Sequence, residues 1–268
     1  QEMSEDSILF SNELVSKRAD ILYENITKWG AKNTVVTNNR SSDFKAFKGF
    51  FDVILIDAPC SGEGLFRKMP KAINEWSENK PFTCSISQKD LLDDAIHLLK
   101  HEGLLIYSTC TFSKEENEQI AQWFFEKYPE IIEPVELPLK KEWGVAHETV
   151  EHAHQKNQTV YKCYPHMVKG EGMFISAFRV NNSNYFKTNR KAKHLQQFKG
   201  LNKAEKEALH KIAVVPEGYI ARRVDQDIYL FPQAYFPAIS LAFQKLRIRK
   251  AGIRAGTFNN KTRELIPS

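Results

Sequence analysis

The sequence predicts an α/β fold, a doubly wound and mostly parallel sheet with helices on both faces. Short apolar runs rich in β-branched residues alternate with amphipathic stretches of helical length. Two of these runs, residues 51–56 and 104–107, open into small and turn-forming residues, as buried parallel strands do where they end at a site. At 268 residues the chain has room for one large domain, or for a large and a small one.

Taken in order, residues 7–11 read as a strand ending before Asn12 and Glu13. Residues 16–29 follow as a helix: Ala19, Leu22, Ile26 and Trp29 recur at helical spacing, and Gly30 stands at the C-terminal cap. A β-branched strand is expected over residues 33–37, then a polar loop through Ser42. The strand at 51–56 leads into a long loop over 62–81. Residues 87–101 carry Leu91, Leu92, Ala95, Leu98 and Leu99 on one helical side, closed by Gly103 before the strand at 104–107. Ser113 followed three residues later by Glu116 is a capping-box signature for a helix running to about Tyr128. Residues 131–138, 159–164 and 173–180 are later strands, some of them antiparallel, and the polar run Asn181 to Asn184 suits a linker. Beyond it come a helix at 202–213, a hairpin over 219–231 turning at Asp225-Gln226-Asp227, and a helix at 236–246. The basic run 247–252 follows. We therefore expect two domains, residues 1–182 and residues 183–268.

Hydrophobic residues make up 42% and charged residues 26% of the chain, an ordinary globular balance. No apolar run approaches the roughly 18 residues of a membrane span, and no secretory signal opens the sequence. Four cysteines without close pairs are not a disulfide framework, which favours a reducing, cytoplasmic setting. The net charge of +5 is unevenly spread: from Lys187 onward 17 Lys and Arg stand against 6 Asp and Glu. A basic C-terminal segment on an otherwise acidic chain suits a polyanion such as nucleic acid, although a merely solubilising surface has the same composition. Arg222, Arg223, Arg247, Arg249, Lys250 and Arg254 are the candidate phosphate contacts.

Asp57-Ala58-Pro59-Cys60 delivers a carboxylate and a thiol to the end of one strand, with Pro59 stiffening the turn. Cys110 stands at the end of the other. Either cysteine alone reads as a small buried hydrophobe; two of them beside Asp57, Ser61, Ser108 and Thr109 suggest covalent chemistry with an acid partner. The spacing of Cys60, Cys84, Cys110 and Cys163 does not suit zinc, and no Gly-Lys-Ser/Thr follows Gly62 and Gly64 to make a phosphate loop. His147, His152 and His154 read as a solvated loop rather than a metal site. Trp29, Trp76, Trp123 and Trp143 read as packing residues. Glu13, directly after the first strand, has the position of a ribose-binding acid in nucleotide-binding folds.

Asp57-Ala58-Pro59-Cys60-Ser61-Gly62-Glu63-Gly64, paired with Tyr107-Ser108-Thr109-Cys110-Thr111-Phe112-Ser113, resembles the signatures of the Sun/Fmu family of RNA cytosine-C5 methyltransferases. Phe66-Arg67-Lys68, Glu75-Trp76, Glu115-Glu116-Asn117-Glu118 and the run from Pro165 to Gly172 are similar to its bacterial branch, typified by rRNA small-subunit methyltransferase F. The resemblance covers most of residues 8–180. It implies a Rossmann-like class I methyltransferase sheet followed by a smaller α+β, RNA-binding domain. It implies S-adenosylmethionine as methyl donor and ribosomal RNA or the small ribosomal subunit as partner; beside it we expect neither metal nor membrane, and a monomeric protein. Cys110 is by resemblance the nucleophile toward cytosine carbon 6, Asp57 the residue that binds the base and touches the cofactor, and Cys60 the residue that assists removal of the carbon 5 proton. Glu13 matches the ribose-binding acid, and Asn38 aligns beside the adenine. The family's glycine-rich cofactor loop is expected just before Ile8 and is not in this sequence, so we read the chain as a piece that omits the first strand of the sheet and stops inside its second domain. Three alternatives stay open: a transfer RNA cytosine methyltransferase, a DNA cytosine-C5 methyltransferase with its nucleophile at the Pro-Cys position, and an inactive RNA-binding assembly protein.

Overall fold

The structure, a computed structural model, describes residues 7–151, 157–181 and 198–267. In chain order its elements are β1 (Leu9–Asn12), α1 (Ser16–Lys28), β2 (Thr34–Thr37), β3 (Phe51–Asp57), α2 (Pro70–Glu75), α3 (Lys80–Ile96), β4 (Leu99–Thr109), α4 (Glu118–Lys127), β5 (Ile132–Pro134), β6 (Ala146–Val150), β7 (Gln158–Cys163), β8 (Met173–Val180), α5 (Lys203–Ile212), β9 (Tyr219–Val224), β10 (Asp227–Pro232), α6 (Phe236–Lys245), β11 (Ile248–Ala251), β12 (Ile253–Asn259) and β13 (Glu264–Pro267). The chain packs as two compact units, residues 47–189 and residues 1–46 with 190–268. The boundary expected at 182/183 and the linker residues Asn182 to Asn184 lie outside the described residues, as do His152 and His154.

In the unit of residues 47–189 the strand order is β3-β4-β8-β7-β6, with β5 also paired to β8. Only β3 and β4 run parallel; the other pairs are antiparallel. Side chains alternate across a strand, so Ile54 and Ile56 pack inward with Leu105 and Tyr107 while α3 and α4 bring Leu92, Ile96, Ile120 and Phe124 against them. Phe124 meets Phe178 of β8 edge-on at 5.1 Å. Each such fully buried side chain contributes roughly 1.5–3 kcal/mol of burial. The opposite face of β3 differs from the expected buried strand: Val53 is 55% and Leu55 is 66% exposed.

In the other unit β1 and β2 pair in parallel, and β11 adds to β2 antiparallel. A separate antiparallel sheet runs β13-β12-β10-β9. The described strands thus form three sheets. Helix α1 buries Ala19 and Ile26 and ends as expected, with Gly30 at φ +67° donating its N–H to the Thr27 carbonyl. Trp29, placed on the apolar stripe by spacing, is instead 70% exposed, and Trp143 is also exposed. The hairpin of β9 and β10 turns where expected, with Asp225 at φ +55°.

Three expectations about elements are corrected. The helix placed at 87–101 begins earlier, where Pro81 sits at its N-terminal turn, and ends at Ile96; β4 then starts at Leu99. A bulge between Phe51 and Val53 absorbs the residues around Glu102, whose φ is +62°. The loop over 62–81 contains α2, which starts on Pro70. The capping box at Ser113 does not form: the Ser113 hydroxyl donates to Glu115, and α4 begins only at Glu118.

Candidate active site

Asp57 pairs in register with Ser108, so the loops leaving β3 and β4 start side by side. The Ala58 N–H donates to the Ser108 carbonyl at 2.9 Å, and the Gly64 N–H donates to the Cys110 carbonyl at 2.9 Å. Between these ties the Cys60 and Cys110 sulfurs lie 3.2 Å apart, and the Cys110 backbone N–H points at Cys60 Sγ at 3.4 Å. Both side chains are half-buried. The second glycine of the Cys60 loop is needed for this approach: a Cβ on Gly64 would lie 2.8 Å from the Cys110 carbonyl oxygen and 2.9 Å from Gly172 Cα.

Two thiols in contact share protons unequally. The hydrogen bond from Cys60, ahead of opposing contributions from burial and from the nearby Asp57 carboxylate, lowers Cys110 from 9.0 to about 7. Cys60 moves the other way, held protonated first by its bond to Cys110 and then by burial. Burial also raises Cys84 and Cys163. Because only a thiolate alkylates readily, brief treatment with iodoacetamide should label Cys110 alone. Labelling should climb as pH rises through about 7, where Cys110 loses its proton, and level off above it. Peptide mapping reads this directly, and earlier labelling of Cys60 would reverse the order of ionisation.

Around the thiols lies a buried polar net that the sequence reading missed. Glu116, fully buried, accepts the Ser61 N–H at 2.9 Å, the Ser61 hydroxyl at 2.5 Å and the Gln88 amide at 3.0 Å. Burial pushes the Glu116 carboxyl up, and the Ser61 and Gln88 bonds pull it back only in part. Asn117 accepts from the Thr109 hydroxyl at 2.6 Å and donates to the Thr111 carbonyl at 3.0 Å. Phe112, two residues past Cys110, stacks on Tyr164 at 5.8 Å, and Tyr164 stacks on His166 at 5.5 Å.

The remaining predicted residues lie in the other unit. At Glu13, one carboxylate oxygen accepts the Val15 N–H at 2.8 Å and the other pairs with Arg18 at 3.0 Å. Each oxygen keeps a second acceptor position, so Glu13 fits the hydroxyls of a ribose. Asn38 fits a cofactor less well: both amide hydrogens are spent on the Glu13 and Leu14 carbonyls, and its oxygen accepts from Arg249. Arg249 also bonds Ser16 and pairs with Asp20, Arg223 pairs with Glu205, and Arg254 is bidentate on Asp227. Arg222 lies over the Phe236 ring, and burial holds the Lys250 ammonium below its usual range. Of the six phosphate candidates Arg247 and Arg254 are exposed, and Arg254 is held by Asp227. His147 packs edge-on to Tyr161, and among the described residues no His, Cys, Asp and Glu cluster could hold a metal. No described helix is long and apolar enough to cross a membrane.

A family profile described as 16S rRNA methyltransferase RsmB/F matches residues 1–179. The chain belongs to that family. Among curated proteins it is 33% identical over 271 residues to ribosomal RNA small subunit methyltransferase F of Psychromonas ingrahamii, covering 96% of this chain and 53% of that protein. It is 31% identical over 271 residues to its counterpart from Cronobacter sakazakii, covering 97% and 53%. The chain thus spans about half the length of the curated relatives it matches. Among solved structures, NSun6 from Pyrococcus horikoshii with SFG aligns at TM-score 0.51 and 26% identity, over 65% of this chain and 41% of that one. A methyltransferase homologue from the same organism aligns at TM-score 0.50 and 25% identity, covering 65% and 53%. The RsmB/F chain therefore has the Rossmann-like class I methyltransferase fold over the aligned part.

Proposed function

We propose that the full-length protein is an S-adenosylmethionine-dependent RNA methyltransferase that forms 5-methylcytosine in small-subunit ribosomal RNA through a covalent cysteine adduct. The contact between two strand-end thiols beside Asp57 carries this reading. S-adenosylmethionine, when bound, would supply an electrophilic methyl group, and Glu13 would hold its ribose.

The Cys110 thiolate adds to carbon 6 of cytosine, which makes carbon 5 nucleophilic. Asp57, exposed at the end of β3, accepts from the exocyclic amine and orients the ring. Forming the Cys110–carbon bond removes the negative charge that holds Cys60 protonated, so Cys60 can release its proton to water. Once carbon 5 carries the methyl group, Cys60 takes the proton from that carbon, the C–H electrons restore the ring double bond, and Cys110 leaves as thiolate. The target base must be unpaired or turned out of its stack to reach the pair. We propose residues 1–182 as the methyltransferase domain and residues 183–268 as a basic RNA-binding domain in which Arg247 makes phosphate contacts. The setting is cytoplasmic and the protein monomeric.

The test uses full-length protein and small-subunit rRNA carrying 5-azacytidine, which blocks release of the adduct. A stable protein–RNA product with the nucleotide mapped to Cys110 is expected. A product mapped to Cys60, or none with active protein, overturns the mechanism.

A further inference from the structure

Sequence reasoning gave Glu116 to a helix cap, and the reaction has no step for it, yet it is a carboxylate with none of its surface exposed. Three hydrogen bonds to its carboxylate lead to the loop that carries Cys60. Ser61, the next residue, gives both its N–H and its hydroxyl to Glu116. Gln88 spans from Glu116 to the Pro59 carbonyl at 2.9 Å, so the residue before Cys60 is tied to the same anchor. Asn117 does the same for Cys110, holding Thr109 on one side and Thr111 on the other. The two brackets are joined, because the Ser61 and Thr111 hydroxyls lie 2.7 Å apart. The Tyr107 hydroxyl, donating to the Glu116 carbonyl at 2.7 Å, fixes the anchor to β4 itself.

We propose that Glu116 is the positioning residue of the thiol pair, acting through Ser61 to hold Cys60 against Cys110. A carboxylate suits this place because three donors converge on it and it carries none of its own. The inference rests on the assigned thiol roles for its effect on turnover, but not for its effect on geometry.

The geometry is read without any methylation. At equilibrium with glutathione, the two thiols are oxidised to a Cys60–Cys110 disulfide while one oxidised glutathione is reduced to two thiols, and the constant reports how well the sulfurs are held together. Glu116→Ala should lower that constant tenfold or more in this chain. Glu116→Gln, which keeps an acceptor for the Ser61 N–H, should recover part of it and covers the case in which the alanine variant does not fold. Ser61→Ala combined with Glu116→Gln should be less than additive, since both act on one contact. An unchanged constant in Glu116→Gln and Ser61→Ala alike, in folded protein, overturns the proposal. In the full-length enzyme, displacement of this size should lower kcat on the order of 10²-fold with KM for RNA unchanged. A lowered disulfide constant with unchanged kcat would keep Glu116 as the positioner and overturn the thiol roles instead.

Discussion

Replacing Cys110 with alanine in the full-length protein should lower methylation on the order of 10⁴-fold or more, the loss expected when a covalent nucleophile is removed. No adduct should then form on 5-azacytidine RNA. Cys60→Ala should behave differently. Its sulfur is the one held protonated, so it is not the nucleophile: losing its hydrogen bond raises the Cys110 thiol and slows addition at neutral pH, whereas removal of the carbon 5 proton loses its base altogether. That variant should keep forming adduct and accumulate it on ordinary RNA, with turnover lowered by about 10²–10⁴-fold, as for loss of a general base. The asymmetry is the informative part, visible as a shifted protein–RNA band on a denaturing gel. A Cys60→Ala protein without adduct, beside a Cys110→Ala protein that retains it, would exchange the two roles.

What the sequence revealed of this site and what it hid follow from range. Asp57, Cys60 and Cys110 were legible because strand ends with small residues are local signals, and parallel register then brings them together without further information. Gly64 was visible as a glycine, but its reason is a backbone 46 residues away, the Cys110 carbonyl. Glu116 was misread for the same cause. A Ser-x-x-Glu pattern is a local argument, and the pull of two Ser61 donors and Gln88 on a buried carboxylate outweighs it. The basic segment shows a further limit: composition counts charges, but not which are already paired. Arg223, Arg249 and Arg254 carry the expected charge and spend it on Glu205, Asp20 and Asp227.

The second large effect is on stability and falls on Lys162. This β7 lysine is only 5% exposed, yet it pairs with Glu118 in the first turn of α4 and, at 3.2 Å, with Glu148 of β6. Burial alone would pull the ammonium down, but the two carboxylates outweigh it and hold it above its usual range. Lys162→Met fills similar space and strands Glu118, whose side chain is only 18% exposed, without its cation. Removing one partner of such a pair costs about 3 kcal/mol, because the remaining charge stays desolvated. Over a typical urea dependence this moves the unfolding midpoint down by roughly 1 M or more. The effect should reach the site too. Glu118 begins the helix that follows Glu116 and Asn117, while Glu148 accepts from the Tyr164 hydroxyl at 2.7 Å and so steadies the ring stacked on Phe112. Adding Glu118→Gln to Lys162→Met should recover most of the lost midpoint, since the stranded charge is then gone. A Lys162→Met protein as stable as the wild type would show that the buried cation contributes nothing net, and that packing alone holds α4 against this edge of the sheet.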